Sequence, residues 1–147
     1  PSPAAMNWSL LIVLHALPTL FMCGLIWFVQ IVHYPLLPAV GDAQFAAYER
    51  AHCRRVTFVV LPPMVAELLL AVWLWWQAPP QWSAWATLGL VLVLVVWTST
   101  FVLQGPYHAQ LLQAFDRATI RRLVATNWLR TVAWTLRGVV ASVLLLD

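Results

Sequence analysis

Lysine is absent from this sequence, and charge of either sign is scarce: 9% of its 147 residues are charged, five of them acidic. A soluble domain carries about a quarter charged residues. With 63% hydrophobic residues, a chain this short has too little interior to hide its apolar surface from water. That excludes an ordinary soluble domain and leaves lipid as the solvent for most side chains. All eight cationic residues are Arg, and the net charge of +3 is too small and too scattered for the basic stripe that nucleic acid requires. Two cysteines occur, Cys23 and Cys53, neither in a Cys-x-x-Cys spacing. A disulfide framework is therefore not indicated, and buried thiols are expected. No positive stretch precedes the first apolar run, which is also too long for a signal-peptide core, so it reads as a mature helix. Pro1–Ala5 read as an appended remnant before a native Met6.

What the chain does contain is four apolar runs, at 8–34, 56–77, 83–104 and 123–146. Each is near or above the ~20 residues that cross a bilayer as a helix. Backbone groups in lipid must be satisfied within the segment, so helix is the default. Trp8, Trp75, Trp76, Trp82 and Trp85 fall at one boundary as an aromatic belt. The turn Gln77-Ala78-Pro79-Pro80-Gln81 is tight and uncharged. The other two connections are longer and polar, and each is expected to hold a short amphipathic helix, at 43–52 and 108–122. The fold expected is a single all-α domain, an integral membrane four-helix bundle running up-down-up-down. Arg50, Arg54, Arg55, Arg117, Arg121 and Arg122 all lie at the end bearing the longer connections. Positive residues stay cytoplasmic, so both termini are expected in the periplasm of a bacterial inner membrane. The sequence has no internal repeat and no low-complexity segment.

Ionisable residues inside membrane spans cost ~3 kcal/mol on insertion scales and mark function or partners. His15, Glu67 and Arg137 fall at similar depth in the first, second and fourth runs, which predicts a Glu67–Arg137 ion pair. The competing reading is a mere lock between two helices, and buried ion pairs add little stability on their own. Pro62 and Pro63 precede Glu67 by about a turn and are expected to free carbonyls near Phe58 and Val59. Pro18 is expected to kink the first helix.

At the arginine-bearing end, Gln30 and His33 share a face, as do Gln104 and His108, with Gly105 and Pro106 expected to break the third helix between them. His52 stands before the second span, in a Glu49-x-x-His52 spacing. His33, His52 and His108 are thus expected to converge from three elements as metal ligands. Neutral imidazoles suit Fe, Zn or Cu, and two of them could hold haem b axially. A single His beside Tyr or Arg could instead meet a quinone carbonyl or relay protons. A di-iron carboxylate bundle fails by count, because only Glu49 and Glu67 exist. The bland alternative is three interfacial histidines satisfied at headgroup level.

The fourth run carries Asn127, Arg130, Trp134 and Arg137 on one face. Arginine pairs carboxylates and stacks on aromatic rings. With one acid in the spans for two arginines, Arg130 is left over, and its surplus charge points to an anionic or aromatic ligand. Trp97, Thr100, Gln104 and His108 form a second polar stripe, expected to face the same interior.

The motifs Gln30-x-x-His33-Tyr34-Pro35, Tyr48-x-x-x-His52-x-x-Arg55, Pro63-x-x-x-Glu67, Gln104-x-Pro106-x-His108 and Asn127-Trp128-x-Arg130-Thr131-x-x-Trp134-x-x-Arg137 resemble an uncharacterised bacterial family of small four-helix membrane proteins. The resemblance covers nearly the whole chain and implies the fold without an activity. A more distant similarity is to the HemJ-type protoporphyrinogen oxidases, four-helix membrane proteins of about this length with an early His on the first helix. It implies that His15 contacts haem. This chain has no counterpart of the Lys that family uses, and its Asn127-Trp128 stretch departs from the family's motif.

The functional expectation is a membrane-embedded, metal- or haem-binding redox protein, an oxidoreductase type acting on a quinone, a porphyrin or another aromatic or anionic molecule. Glu67, Arg130 and Arg137 would be catalytic; His15, Gln30, Gln104, Asn127 and Trp134 would bind the cofactor; His33, His52 and His108 would bind metal. Membrane lipid is the expected surrounding partner, and a homo-oligomer is left open. The rivals are a small-molecule or lipid transport protein and a structural subunit of a larger membrane complex.

Overall fold

A computed structural model describes residues 7–146; Pro1–Met6 and Asp147, and with them the expected remnant before Met6, lie outside the described residues. Helix accounts for 93% of the described residues, no strand occurs among them, and four helical stretches are long and apolar enough to cross a membrane. The first begins with α1 (Trp8–Phe28), opened by Asn7, whose side chain accepts from the Ser9 N–H at 3.0 Å. It passes through Pro18 without a break. A π-turn at Val29–His33 leads into a single turn, α2 (Tyr34–Leu36), and then a 3-10 turn, Leu37–Val40. Gly41 reverses the chain with φ 78°, a left-handed conformation that favours glycine.

The return helix, α3 (Asp42–Gln77), runs 36 residues unbroken, about 54 Å at 1.5 Å per residue. The expected separate helix at 43–52 is therefore its first turns. The stretch from Asp42 to Leu61 holds no Gly or Pro to stop it. Pro62 and Pro63 also lie inside the continuous helix.

After a 3-10 turn at Pro80–Trp82, α4 (Ser83–Ser99) rises to a second π-turn, Thr100–Gln104, and continues as α5 (Gly105–Leu111). Gly105 and Pro106 thus do not end this helix. Both π-turns stop two residues short of a proline, Pro35 and Pro106. Proline cannot donate to the carbonyl four residues back and its ring crowds it. That carbonyl belongs to Ile31 or Val102, each inside a π-turn, whose wider winding relieves the crowding.

The expected helix at 108–122 is split instead. Leu112–Asp116 turn the chain, and Asp116 caps the last helix, α6 (Arg117–Leu145), by accepting from the Ala118 and Thr119 N–H groups at 3.0 and 2.9 Å. That is standard N-cap chemistry.

The four crossings alternate in direction; α1 packs on α3 and α6, and α4 packs on the same two. Leu17, Phe58, Leu69, Phe101 and Val139 point outward, as a lipid-facing surface requires. In lipid the hydrophobic effect does not drive helices together, so close packing and interhelical hydrogen bonds must. Gly138 of α6 faces α1, where a Cβ would make ordinary contact with the Cys23 sulfur at 3.4 Å. Most of the interhelical hydrogen bonds involve α6, and a further group joins α3 to α5.

Candidate functional site

Three polar layers stack along α6. The first, farthest from the arginine-bearing end, centres on Arg137. Its Nε donates to Glu67 Oε1 at 3.1 Å, the predicted ion pair. Its Nη1 donates to the Gly89 carbonyl, and its Nη2 meets His15 Nε2 and Thr19 Oγ1, each at 3.3 Å. Glu67 Oε2 accepts from the Trp134 indole at 2.8 Å. One guanidinium therefore ties α6 to α1, α3 and α4. A guanidinium has no acceptor to offer, so His15 Nε2 must accept, which leaves the proton on Nδ1. That atom is buried and has no partner. Glu67 and Arg137, expected to be catalytic, are buried, hydrogen-bonded to protein partners and absent from the wall of the chamber described below. Together they link the four helices of the bundle.

The second layer belongs to Arg130. Its Nε and Nη2 donate to Asn127 Oδ1 at 2.9 and 2.6 Å, Nη2 also reaches Tyr34 Oη at 3.3 Å, and Nη1 reaches Thr100 Oγ1 at 3.4 Å. Every partner is neutral, Arg130 is 7% exposed, and the ion pairs among the described residues do not include it. The surplus inferred from the sequence is therefore present in three dimensions. Gln30 accepts from Asn127 Nδ2 at 2.8 Å and donates to the Val124 carbonyl at 3.2 Å. Gln30 and Asn127 are thus spent on holding α1 to α6 and orienting Arg130.

The third layer is at the arginine-bearing end. His33, His52 and His108 do converge: the His33 and His52 rings are 4.5 Å apart between centroids, and those of His52 and His108 are 5.6 Å apart. The ligating atoms that gather within 4.8 Å of one another, however, belong to Glu49, Cys53 and His108. His108 Nδ1 lies 2.5 Å from Glu49 Oε1, Cys53 Sγ lies 3.5 Å from the same oxygen, and His108 Nε2 meets Tyr34 Oη at 3.0 Å. Tyr34 thus bridges the second and third layers, linking Arg130 to His108 and, through it, to Glu49. The sequence reading passed over Tyr34 and Cys53. The only signal for Tyr34 was its place between His33 and Pro35, where the π-turn fixes the direction of its ring. For Cys53 it was the i, i+4 spacing from Glu49.

A chamber of about 220 Å³ opens beside these layers. Its polar wall is Arg130, Tyr34, His108, Thr100 and Gln104, and its apolar wall includes Met22, Ile26, Met64 and Trp134. Trp97 also lines it, and its indole N–H is buried without an acceptor. Leu61 of α3 and Phe101 of the second π-turn are wall residues that are exposed, so the mouth lies between α3 and the α4–α5 helix, on the lipid side. The chamber is below the ~300–1,000 Å³ of sites for drug-sized ligands, and suits a ring or headgroup whose tail lies in the mouth. The His33 and His52 rings, 4.5 Å apart between centroids, leave no gap for a macrocycle between them, so this pair does not fit a bis-histidine haem. No family model, curated protein or solved structure matches the chain.

Proposed function

We propose that this protein is a redox-type membrane protein that binds the ring of a quinone-class molecule in the chamber, and that Tyr34, His108 and Glu49 move its proton. The observation that carries this reading is Arg130: a buried guanidinium with neutral partners only, set in the wall of an apolar chamber open to lipid. A buried charge without a counter-charge is costly, and a ligand oxygen carrying negative charge offsets that cost. Arg130 and the unpaired Trp97 N–H are donors, so the ligand must be rich in acceptors. Apolar walls and a lipid-side mouth select an apolar body. A quinone has both features, and its reduced oxyanion suits arginine.

The chain's own residues supply binding and proton movement. A proton released by the ligand passes to Tyr34 Oη as Tyr34 gives its own to His108 Nε2, and His108 gives its Nδ1 proton to Glu49. The two transfers within the protein follow hydrogen bonds already in place. The arginine-bearing end is assigned to the cytoplasm of a bacterial inner membrane, and both termini to the periplasm. A carboxylate amphiphile shares part of this chemistry and enters by the same mouth.

The test is titration of the protein in nanodiscs with a short-chain quinone, read by quenching of tryptophan fluorescence, with a fatty acid as the parallel arm. Saturable 1:1 quinone binding is expected, weakened about tenfold or more in Arg130→Gln, the scale of a lost charge-assisted hydrogen bond. Arg117→Gln should leave it unchanged. Quinone binding that never saturates, or saturates equally in Arg130→Gln, rejects the reading. Saturation by the fatty acid alone transfers the site to lipid binding.

A further inference from the structure

The third layer holds more than a proton path needs. On α3, Glu49, His52 and Cys53 occupy i, i+3 and i+4, one face of the helix, and α5 brings His108 against them. Glu49 is completely buried, yet its Oε2 has no partner. His33 Nε2, beside His52, is likewise buried and unpaired. An orphaned carboxylate oxygen in the interior costs free energy that a bound cation removes.

We propose that Glu49, Cys53 and His108 form a binding site for a divalent transition-metal ion of the zinc class, with the fourth position open. The donor set decides the class. Carboxylate oxygen, thiolate sulfur and imidazole nitrogen in a tetrahedral array are what zinc takes, whereas magnesium and calcium take oxygen alone. The charges also balance: one carboxylate and one thiolate neutralise a dication.

Bonds of ~2.0–2.3 Å to the metal are compatible with ligating atoms that already lie within 4.8 Å of one another. The ion takes the place of the proton shared by Glu49 and His108, and Cys53 releases its thiol proton to solvent on binding. Bonded through Nδ1, His108 carries its proton on Nε2 and donates it to Tyr34 Oη, so the hydrogen bond to the chamber wall survives while the proton path to Glu49 is closed for as long as metal is bound. The neighbouring Arg50, Arg54 and Arg55 side chains are exposed, where salt screens them.

The site is tested with Co²⁺ as the spectroscopic probe on the detergent-purified full chain. One equivalent should bind with tetrahedral ligand-field absorption in the visible and a thiolate charge-transfer band in the near-ultraviolet, both displaced by one equivalent of Zn²⁺. Cys53→Ala should abolish the thiolate band and weaken binding tenfold or more, and Glu49→Gln should weaken it likewise. Cys23→Ala, on α1, should change neither. Quinone binding by Cys53→Ala reports on the chamber separately, because Cys53 does not line it. Absence of stoichiometric Co²⁺ in the wild-type protein, or a thiolate band that persists in Cys53→Ala, overturns the proposal.

Discussion

Arg130 and Arg137 are two buried arginines seven residues apart on one helix, and their surroundings give them opposite roles. Arg137 meets a carboxylate, a carbonyl, an imidazole and a hydroxyl, and its charge is paired within the protein. Arg130 meets only an amide and two hydroxyls. Breaking a buried pair from one side leaves the other charge uncompensated, at a cost of roughly 3–5 kcal/mol. Arg137→Met should therefore destabilise the bundle by about that amount, while the double variant Glu67→Gln/Arg137→Met should recover part of the loss. Reversible unfolding in mixed micelles measures both, and a double variant no more stable than the single one would show that Arg137 acts by packing rather than by charge. The pair itself was legible in the sequence, because an acid and a base stand out inside apolar runs. The difference between the two arginines was legible as a surplus of one. Depth along the runs also told which arginine is left over, since it pairs Glu67 with Arg137; the neutral groups that surround Arg130 depend on helix rotation, which spacing does not carry.

At the scale of elements, the histidine cluster owes its geometry to two departures from regular winding. A π-turn holds one extra residue and so rotates everything after it. One such turn delivers His33 and Tyr34, the other Gln104 and His108. An ideal 3.6-residue count through either segment misplaces the side chains that follow, which is why the Tyr34–His108–Glu49 chain could not be read from spacing. The prolines behind the π-turns were visible, but the sequence reading took Gly105 and Pro106 for a helix end. The start of α6 was misread for a related reason: Asp116 resets the helix at a cap in the middle of what looked like a continuous amphipathic stretch. Its bonds to two N–H groups and to the Thr119 hydroxyl hold its carboxyl below the ordinary carboxylate range. With the folded value depressed, the cap's contribution is full above the unfolded value of about 3.9 and is lost as pH falls through the folded one. Protection of the Ala118 and Thr119 amides from exchange, relative to the intrinsic rate at each pH, should fall on acidification below about pH 4. Asp116→Asn, which still caps, should flatten that dependence; identical pH profiles for the two proteins would remove Asp116 as its source.

For the whole molecule, span count, order and alternation follow from hydropathy alone, and they are what the sequence conveys best. Backbone groups in lipid permit few other solutions. The distribution of charge adds an orientation. The six arginines outside the spans sit at the end that carries α2, α5 and the start of α3, and the opposite end has none. With that end cytoplasmic, a C-terminal alkaline phosphatase fusion should be active and a C-terminal green fluorescent protein fusion dark. The reverse pattern inverts the assignment and moves the histidine cluster to the periplasmic side. The chamber's mouth between α3 and the α4–α5 helix could not be foreseen at this scale. It depends on where two helices part, and neither hydropathy nor charge records that.

The concentration of polar side chains on α6 bears on how the chain is made. Of the four spans α6 is the least apolar, and it carries two arginines that each cost ~3 kcal/mol to place mid-membrane on their own. Apart from Asn127, which α6 brings with it, their acceptors reside on segments that are synthesised earlier: His15, Thr19, Tyr34, Glu67, Gly89 and Thr100 all precede residue 117. A ribosome that has completed the first three crossings has already placed every one of those groups in the bilayer. The last helix then enters a waiting polar seam rather than bare hydrocarbon, and the order of residues along the gene becomes the order in which insertion is made affordable.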